Sequence, residues 1–403
     1  MLDRDSALPP VSDIGAREPQ EEAPEPVIAG ADTVRMGPGE RPTRADMTDD
    51  ALFEEGIIHD IYLALDEDAI SSLGDTPDVD VMAKFGFDQY GAEIPVGVHL
   101  KGTSSFRTLS GKAAFKIDFH EWNPEARFHG RKRITLNNMA QDATMLHEHV
   151  YYWLCGELGL PAPRHSYARV WVNDEPYGLY GLLETMDEQF IDRVWPNDDK
   201  GTLYEGEAGN DFTEQRGDFG VEELGLPGFE VEALIATVLA TPPDQYLAML
   251  EANFDVDALF GYWAVDIITG NVDGYALNFN NFFVYGAPKA RRWTLVPAGT
   301  DRSFVDATGG IRGSGFRRLS GALVLGCLDD PACVPRLDAR IREVIDAWDA
   351  LDVPGVAAAM VAVVGPECEA DPKRDRLCRS AEILDFIGPR AAKIRADLDE
   401  EED

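Results

Sequence analysis

The strongest constraint on what this chain can fold into is a change of hydrophobic periodicity near Glu184. Upstream, the segments 58–65, 81–85, 93–100, 113–119 and 133–136 alternate or run apolar over strand lengths. The segments 166–172 and 177–184 do the same and flank Asn173-Asp174-Glu175, which reads as a hairpin turn. Two helices interrupt them: a short one over 66–73, opened by Asp66 as a cap, and a long one over 144–158 that stops at Gly159. Downstream the spacing turns helical over 230–239, 244–252, 256–269, 334–351, 356–364 and 380–400. One β-ribbon breaks that run: Phe282, Phe283, Val284 and Tyr285 end at Gly286, and Trp293 to Val296 follow. The expected class is therefore α+β, with a β-rich part over 51–185 and a mainly helical part over 186–403. Residues 1–50, with Glu18-Pro19-Gln20-Glu21-Glu22-Ala23-Pro24-Glu25-Pro26, cannot bury enough apolar surface to order themselves and read as an acidic, Pro-rich tail or linker.

Composition narrows the function. Of 403 residues, 44% are hydrophobic, enough for a sizeable core, and 36 Lys and Arg against 73 Asp and Glu give a net charge of −37. Such a surface repels nucleic-acid backbones and anionic membranes and favours basic partners. No run of about twenty apolar residues marks a transmembrane segment. Met1-Leu2-Asp3-Arg4-Asp5 is not a signal peptide. Four of the five cysteines form close pairs, Cys327/Cys333 and Cys368/Cys378, with no CxxC spacing and no His beyond His165. Two short-loop disulfides fit better than zinc and imply an oxidising compartment, with Cys155 a buried thiol. The location expected is extracytoplasmic, secreted or cell-surface, with any signal or anchor outside this sequence, and the protein a monomer.

The polar residues around the ribbon carry the chemistry. Asp273, in Gly270-Asn271-Val272-Asp273-Gly274, lies 28 positions before Asp301, in Pro297-Ala298-Gly299-Thr300-Asp301. Asn281 enters the first strand between them, with Asn278 and Asn280 as competitors. An aspartate, an asparagine, a hairpin and a second aspartate is the order protein kinases use. Asp and Asn are hard oxygen ligands suited to Mg²⁺ beside a triphosphate. The β-rich part followed by a helical part matches a two-lobed, kinase-like layout.

The series Lys101-Gly102-Thr103-Ser104-Ser105-Phe106-Arg107, Gly111-Lys112-Ala113-Ala114-Phe115-Lys116, Phe128-His129-Gly130 and Leu136-Asn137-Asn138 resembles the CotH family of spore-coat and secreted protein kinases. So do Glu157-Leu158-Gly159-Leu160-Pro161-Ala162-Pro163, Tyr177-Gly178-Leu179-Tyr180-Gly181-Leu182-Leu183-Glu184 and Gly201-Thr202-Leu203-Tyr204, in family order over roughly residues 57–350. The resemblance implies an atypical protein-kinase fold that moves phosphate from ATP, with Mg²⁺ or Mn²⁺, to Ser or Thr of a protein substrate. It implies Asp273 as catalytic aspartate and Asn281 and Asp301 as metal ligands. The family's Pro-Trp-Asp-x-Asp pattern keeps only its second Asp here, as Asp301.

Lys112 and Lys116, an even step apart on an expected strand, are candidates to neutralise phosphates, and the resemblance favours Lys112. Glu148 on the long helix is the expected acidic partner of that lysine. Ser104 and Ser105 lie in a turn whose amides cap phosphates, Arg107 offers a bidentate contact, and Glu184 ends a strand at a hinge-like position where its backbone would meet adenine. This is no Walker A, since Ala113 follows Gly111-Lys112. His147 and His149 are two apart and lie on different helix faces, so they form no zinc motif. Arg312-Gly313-Ser314-Gly315 lacks the first glycine of a nucleophile elbow. Two other readings stay open: a surface or coat-assembly protein that binds without catalysis, and another ATP-dependent transfer on the same fold, such as AMP or amino-acid attachment.

Overall fold

Seven strands close a barrel in the order β1-β2-β3-β4-β5-β7-β6, in a computed structural model that describes residues 49–88, 90–206, 209–305 and 319–402. They are β1 (Ile58–Ala64), β2 (Val81–Phe87), β3 (Tyr90–Lys101), β4 (Ala114–Asp118), β5 (Arg133–Asn137), β6 (His165–Val172) and β7 (Glu175–Glu184). All neighbours pair antiparallel except β1 and β6, which close the barrel in parallel. Val96, Val98 and Leu100 of β3, Phe115 and Ile117 of β4, and Ile134 and Leu136 of β5 fill the interior. The period of two therefore turns Lys101, Lys116, Thr135 and Asn137 outward on one face. The β6–β7 turn places Asn173 and Asp174 at φ +51° and +65°, the left-handed pair that two-residue hairpins require.

Two helices lie within this stretch of chain, α1 (Glu67–Asp75), capped by Asp66 Oδ1 on Ala69 N, and α2 (His147–Glu157). The long helix starts at His147 rather than 144 because Asp142 Oδ2 takes the N–H groups of Leu146 and His147, at 2.9 and 2.8 Å, before the helix opens. After β7 come α3 (Glu188–Val194), β8 (Thr202–Gly206), β9 (Gly220–Glu223), α4 (Val231–Ala240), α5 (Tyr246–Asn253), α6 (Val256–Thr269), α7 (Tyr275–Asn278), β10 (Phe282–Ala287) and β11 (Arg292–Pro297). The expected ribbon, β10–β11, is the edge of a four-stranded sheet ordered β11-β10-β8-β9. The chain ends with α8 (Ala322–Asp329), α9 (Cys333–Ala350), α10 (Val353–Ala370) and α11 (Glu382–Glu402).

Helix α6 is the axis of the helical core. Every residue from Ala258 to Thr269 is buried, and Trp263, Ile267 and Ile268 pack in the cluster that also holds Leu337, Ile341 and Trp348 of α9. Disulfides join Cys327 to Cys333 and Cys368 to Cys378, and Cys155 is a buried free thiol, as expected. Among the described residues α10 is long and apolar enough to cross a bilayer by length and composition. It packs on α11 and β7, burying Val353, Ala357, Met360, Val364 and Cys368 along one face. The expected tail over 1–50, apart from its last two residues, and the Arg312–Gly315 segment lie outside the described residues.

Candidate functional site

Asp273 sits just beyond the C-terminal end of α6. Gly270 ends that helix at φ +62°, a conformation only glycine takes freely, and its N–H returns to Ile267 O. The loop then folds onto Asp266, buried inside α6. Asp266 Oδ1 accepts from Tyr151 Oη at 2.7 Å and from Asn271 Nδ2 at 2.8 Å, and Oδ2 takes Ala276 N at 3.4 Å. Burial pushes the Asp266 carboxyl up to about 7, against the pull of these donors. A side chain at Gly274 would meet the Asp266 carboxylate at 2.7 Å, so the loop closes only with glycine there.

Asn281 binds this loop to the ribbon. It adopts φ +52°, and its Nδ2 donates to Asp273 O at 3.1 Å and Oδ2 at 3.2 Å. Asn278 Nδ2 holds the other oxygen, Oδ1, at 2.7 Å, and an Arg302 Nη1 lies 3.5 Å from Oδ2. Asn280 has no such part. Gly299, at φ +50°, lets the chain after β11 pass close to Asn281, since an added Cβ would stand 3.2 Å from the Asn281 amide. Asp301 follows, its carbonyl taking His147 Nδ1 at 2.8 Å. Among the described residues no N–H or side chain donates to the Asp301 carboxylate. Burial raises its pKa, then the like charges of Asp142 and Asp273, against His147 and Arg302. A half-buried carboxylate without donors, beside other carboxylates and the free oxygen of Asn281, is a chemistry suited to a divalent cation. No group of three or more His, Cys, Asp or Glu among the described residues is placed to hold a metal by itself.

The lysine facing this cluster is Lys101, not Lys112. Lys101 ends β3 on the outward face and is felt electrostatically by Glu148 and Asp301. Burial lowers its pKa and raises that of Glu148, while each group draws the other back. Glu148 Oε2 accepts from Asn137 Nδ2, and its Oε1 is buried without a partner. The expected Lys112–Glu148 pairing is thus corrected. Lys112 precedes β4 rather than lying on it, so the even-step argument does not reach it, and its side chain turns inward. Its Nζ is 2.5 Å from Asp371 Oδ2, both side chains fully buried, and lies over the Tyr180 ring. Lys116 is on the outward face with Lys101, 4.0 Å from Glu222 on β9.

The remaining candidates are held by other groups. Ser104 Oγ accepts from Gln141 Nε2 at 2.8 Å, Ser105 O accepts from Asn138 Nδ2 at 2.9 Å, and Arg107 Nε donates to Asp375 at 2.5 Å. The Glu184 carboxylate is buried among Arg193, Arg164 and Arg131 at 2.7, 3.0 and 3.2 Å. Burial pushes it up, but the three guanidiniums outweigh that and hold it below the usual range. Its backbone N–H is spent on Arg164 O. A cavity of about 790 Å³ lies elsewhere, lined in part by His149, Trp153, Arg164 and Trp195, and contains none of Asp273, Asn281 or Asp301.

Sequence reasoning missed Lys101, Asp142, His147, Asp266 and Asn271. The alternation Val96, Val98, Leu100 was the available signal for an outward Lys101. Asp142-Ala143-Thr144 was a capping signal for α2. Nothing local marks Asp266, whose partners lie on α2 and beyond the helix end.

An α+β protein with an outward barrel lysine and a helix glutamate facing an Asp–Asn–Asp cluster is the class that fold and site define. The model of the CotH kinase protein family matches residues 98–389, and the chain belongs to that family. It is 24% identical over 191 residues to Invasin CotH3 of Rhizopus delemar, covering 43% of this chain and 32% of that protein. It is 23% identical over 199 residues to Inner spore coat protein H of Bacillus subtilis, covering 46% and 53%. The chain thus spans about a third to a half of the length of the curated relatives it matches. The Helicobacter pylori proinflammatory kinase CtkA aligns at 10% identity and a TM-score of 0.33, over 70% of this chain and 95% of that one. Shewanella oneidensis HipA, solved with HipB and operator DNA, aligns at the same identity and score over 86% and 74%.

Proposed function

We propose that this protein is an ATP-dependent protein kinase of the CotH type, with a two-lobed arrangement in which the barrel and the α6-centred part flank the nucleotide. The observation that carries the reading is that Lys101, at the end of β3, and Glu148, on α2, lie within electrostatic reach of Asp301, which in turn lies beside the hydrogen-bonded Asp273–Asn281 pair. Asn281 and Asp301 would hold Mg²⁺ or Mn²⁺, and Lys101, with Lys116 beside it, the phosphates. Bound metal·ATP supplies the transferable γ-phosphoryl group and neutralises its charge. Asp273, fixed by Asn278 and Asn281, accepts and orients the acceptor hydroxyl. Glu148 keeps Lys101 aimed, and His147 holds the Asp301 backbone. Most of the acceleration comes from this positioning and from charge stabilisation. Ser104, Ser105, Arg107 and Glu184 act indirectly, by shaping the loop and the strand end. The acceptor is a Ser or Thr in a basic protein, matched to the charge of −37. The disulfides and the surface roles in the names of the relatives support an extracytoplasmic site of action.

The test is incubation with Mn²⁺ or Mg²⁺ and ATP labelled separately at the γ- and α-phosphate, with a basic test protein and Asp301→Ala as control. Label from γ alone, lost in the variant, is expected. Label from α would replace the reading with AMP transfer. No label and no thermal shift with ATP and metal would leave a binding protein of surface or coat assembly.

A further inference from the structure

We propose that the disulfide-closed loop between Cys368 and Cys378 is a positioning clamp for the candidate site, with Asp371, Lys373 and Asp375 as positioning residues. The proposal rests on the kinase reading for its catalytic readout, though not for its structural one. The loop belongs to the chain's last quarter, yet it grips the segment that follows Lys101. Lys373 Nζ donates to three successive carbonyls, Leu109 at 3.1 Å, Ser110 at 3.2 Å and Gly111 at 3.3 Å, using all three of its donors. Its ammonium also lies over the Tyr177 ring, whose hydroxyl donates to the same Leu109 carbonyl. Asp375 holds Arg107, and Asp371 holds Lys112, each at 2.5 Å. Asp371 is anchored in turn by Leu179 N and Lys373 N. The second half of the turn, Arg107 and residues 109–112, is therefore held by one loop.

The same segment reaches the other side of the site. Just past Cys378, Arg379 N donates to Ala143 O at 2.8 Å and Ser380 Oγ to Thr144 O at 3.0 Å. Those carbonyls belong to the two residues after Asp142, which opens α2 and so places His147 and Glu148. The disulfide closes this loop upon itself, reducing the conformations open to residues 369–377 when their contacts break. A short covalent ring thus fastens the turn after Lys101 and the entry to α2 in one register.

Four variants test this against the full chain. Lys373→Ala removes the three-carbonyl grip at a half-buried position. It is expected to raise KM for ATP at least tenfold with kcat within about threefold, and Lys373→Arg to restore most of it, since a guanidinium keeps the donors. Cys368→Ala/Cys378→Ala is expected to speed amide exchange in 102–112 and 142–147 selectively. Cys327→Ala/Cys333→Ala, which opens a ring away from the site, is expected to leave both segments protected. Unchanged exchange in 102–112 after opening the Cys368–Cys378 ring, or equal loss of protection across the whole chain, would overturn the clamp. If the native protein transfers no phosphate, the kinase reading fails while the exchange comparison still decides the clamp.

Discussion

At the scale of single residues, two lysines close in the sequence, Lys101 and Lys112, have opposite fates. Lys101 is placed outward by three inward neighbours, and Lys112 is drawn inward by Asp371. The consequences of removing them differ accordingly. Lys101→Ala is expected to lower kcat/KM for the proposed transfer by at least about 100-fold with a smaller drop in unfolding midpoint than Lys112→Ala, because Lys101 has no direct ion pair among the described residues and Glu148 keeps the Asn137 amide. Lys112→Ala leaves the buried Asp371 without its cation, held by the N–H groups of Leu179 and Lys373, at a cost of about 3 kcal/mol. Its signature is a lowered denaturant midpoint, and activity measured well below that midpoint should survive better than in Lys101→Ala. The reverse pattern would reinstate Lys112 as the phosphate lysine. That Asp273, Asn281 and Asp301 lie together was legible from sequence, because turn residues at both ends of a two-stranded ribbon have few places to go. Lys101 was less so, since its role depends on what the outer barrel face meets.

At the scale of elements, the organising contact is between α6 and the loop it feeds. Asp266 is a buried acid used as a scaffold, holding Asn271 and Ala276 around Asp273. Asp266→Ala strands the Tyr151 hydroxyl and the Asn271 amide without partners, costing about 2–4 kcal/mol, and frees the Asp273 loop. Circular dichroism melts should show the stability loss, and the proposed transfer should fall further than stability alone explains. A second element contact, between α2 and β6, is sensitive to pH. His149 and His165 are buried with their Nδ1 atoms 3.2 Å apart, and burial lowers His149 from an ordinary 6.5 to about 4. The folded state keeps His149 neutral while the unfolded chain protonates it near 6.5. Its contribution is therefore present above about 6.5 and lost as pH falls toward 4. The stability gap between the protein and His149→Gln should widen as pH rises across that window and then level off. A gap constant with pH would mean that His149 titrates normally in the fold.

At the scale of the whole molecule, charge and covalent closure matter most. With a net charge of −37, long-range attraction should dominate encounter with a basic substrate, and the surface part of that attraction is screened within a Debye length of about 8 Å at physiological salt. KM for a basic acceptor is expected to rise several-fold between about 50 and 500 mM NaCl while KM for ATP changes less. A salt-independent KM would remove the charge argument for the substrate. Opening the Cys327–Cys333 ring, which spans a separation of 6, should cost about 2 kcal/mol and lower the thermal midpoint without changing the site.

The linear chain by itself determined the class, the change from β-rich to helical texture, the ribbon with its flanking aspartates, and the two cysteine pairs. Each of these is a local signal: periodicity selects strand or helix, short spacing selects disulfide partners, and Asn or Gly marks a turn. Tertiary structure alone decided which lysine faces Glu148, where Glu184 finds its arginines, and that the loop around Asp371 embraces the turn after Lys101. Those pairings join residues more than a hundred positions apart in several cases, as with Lys112 and Asp371 or Tyr151 and Asp266. Buried charge must find a partner wherever the fold brings one, and no local pattern records which partner that is.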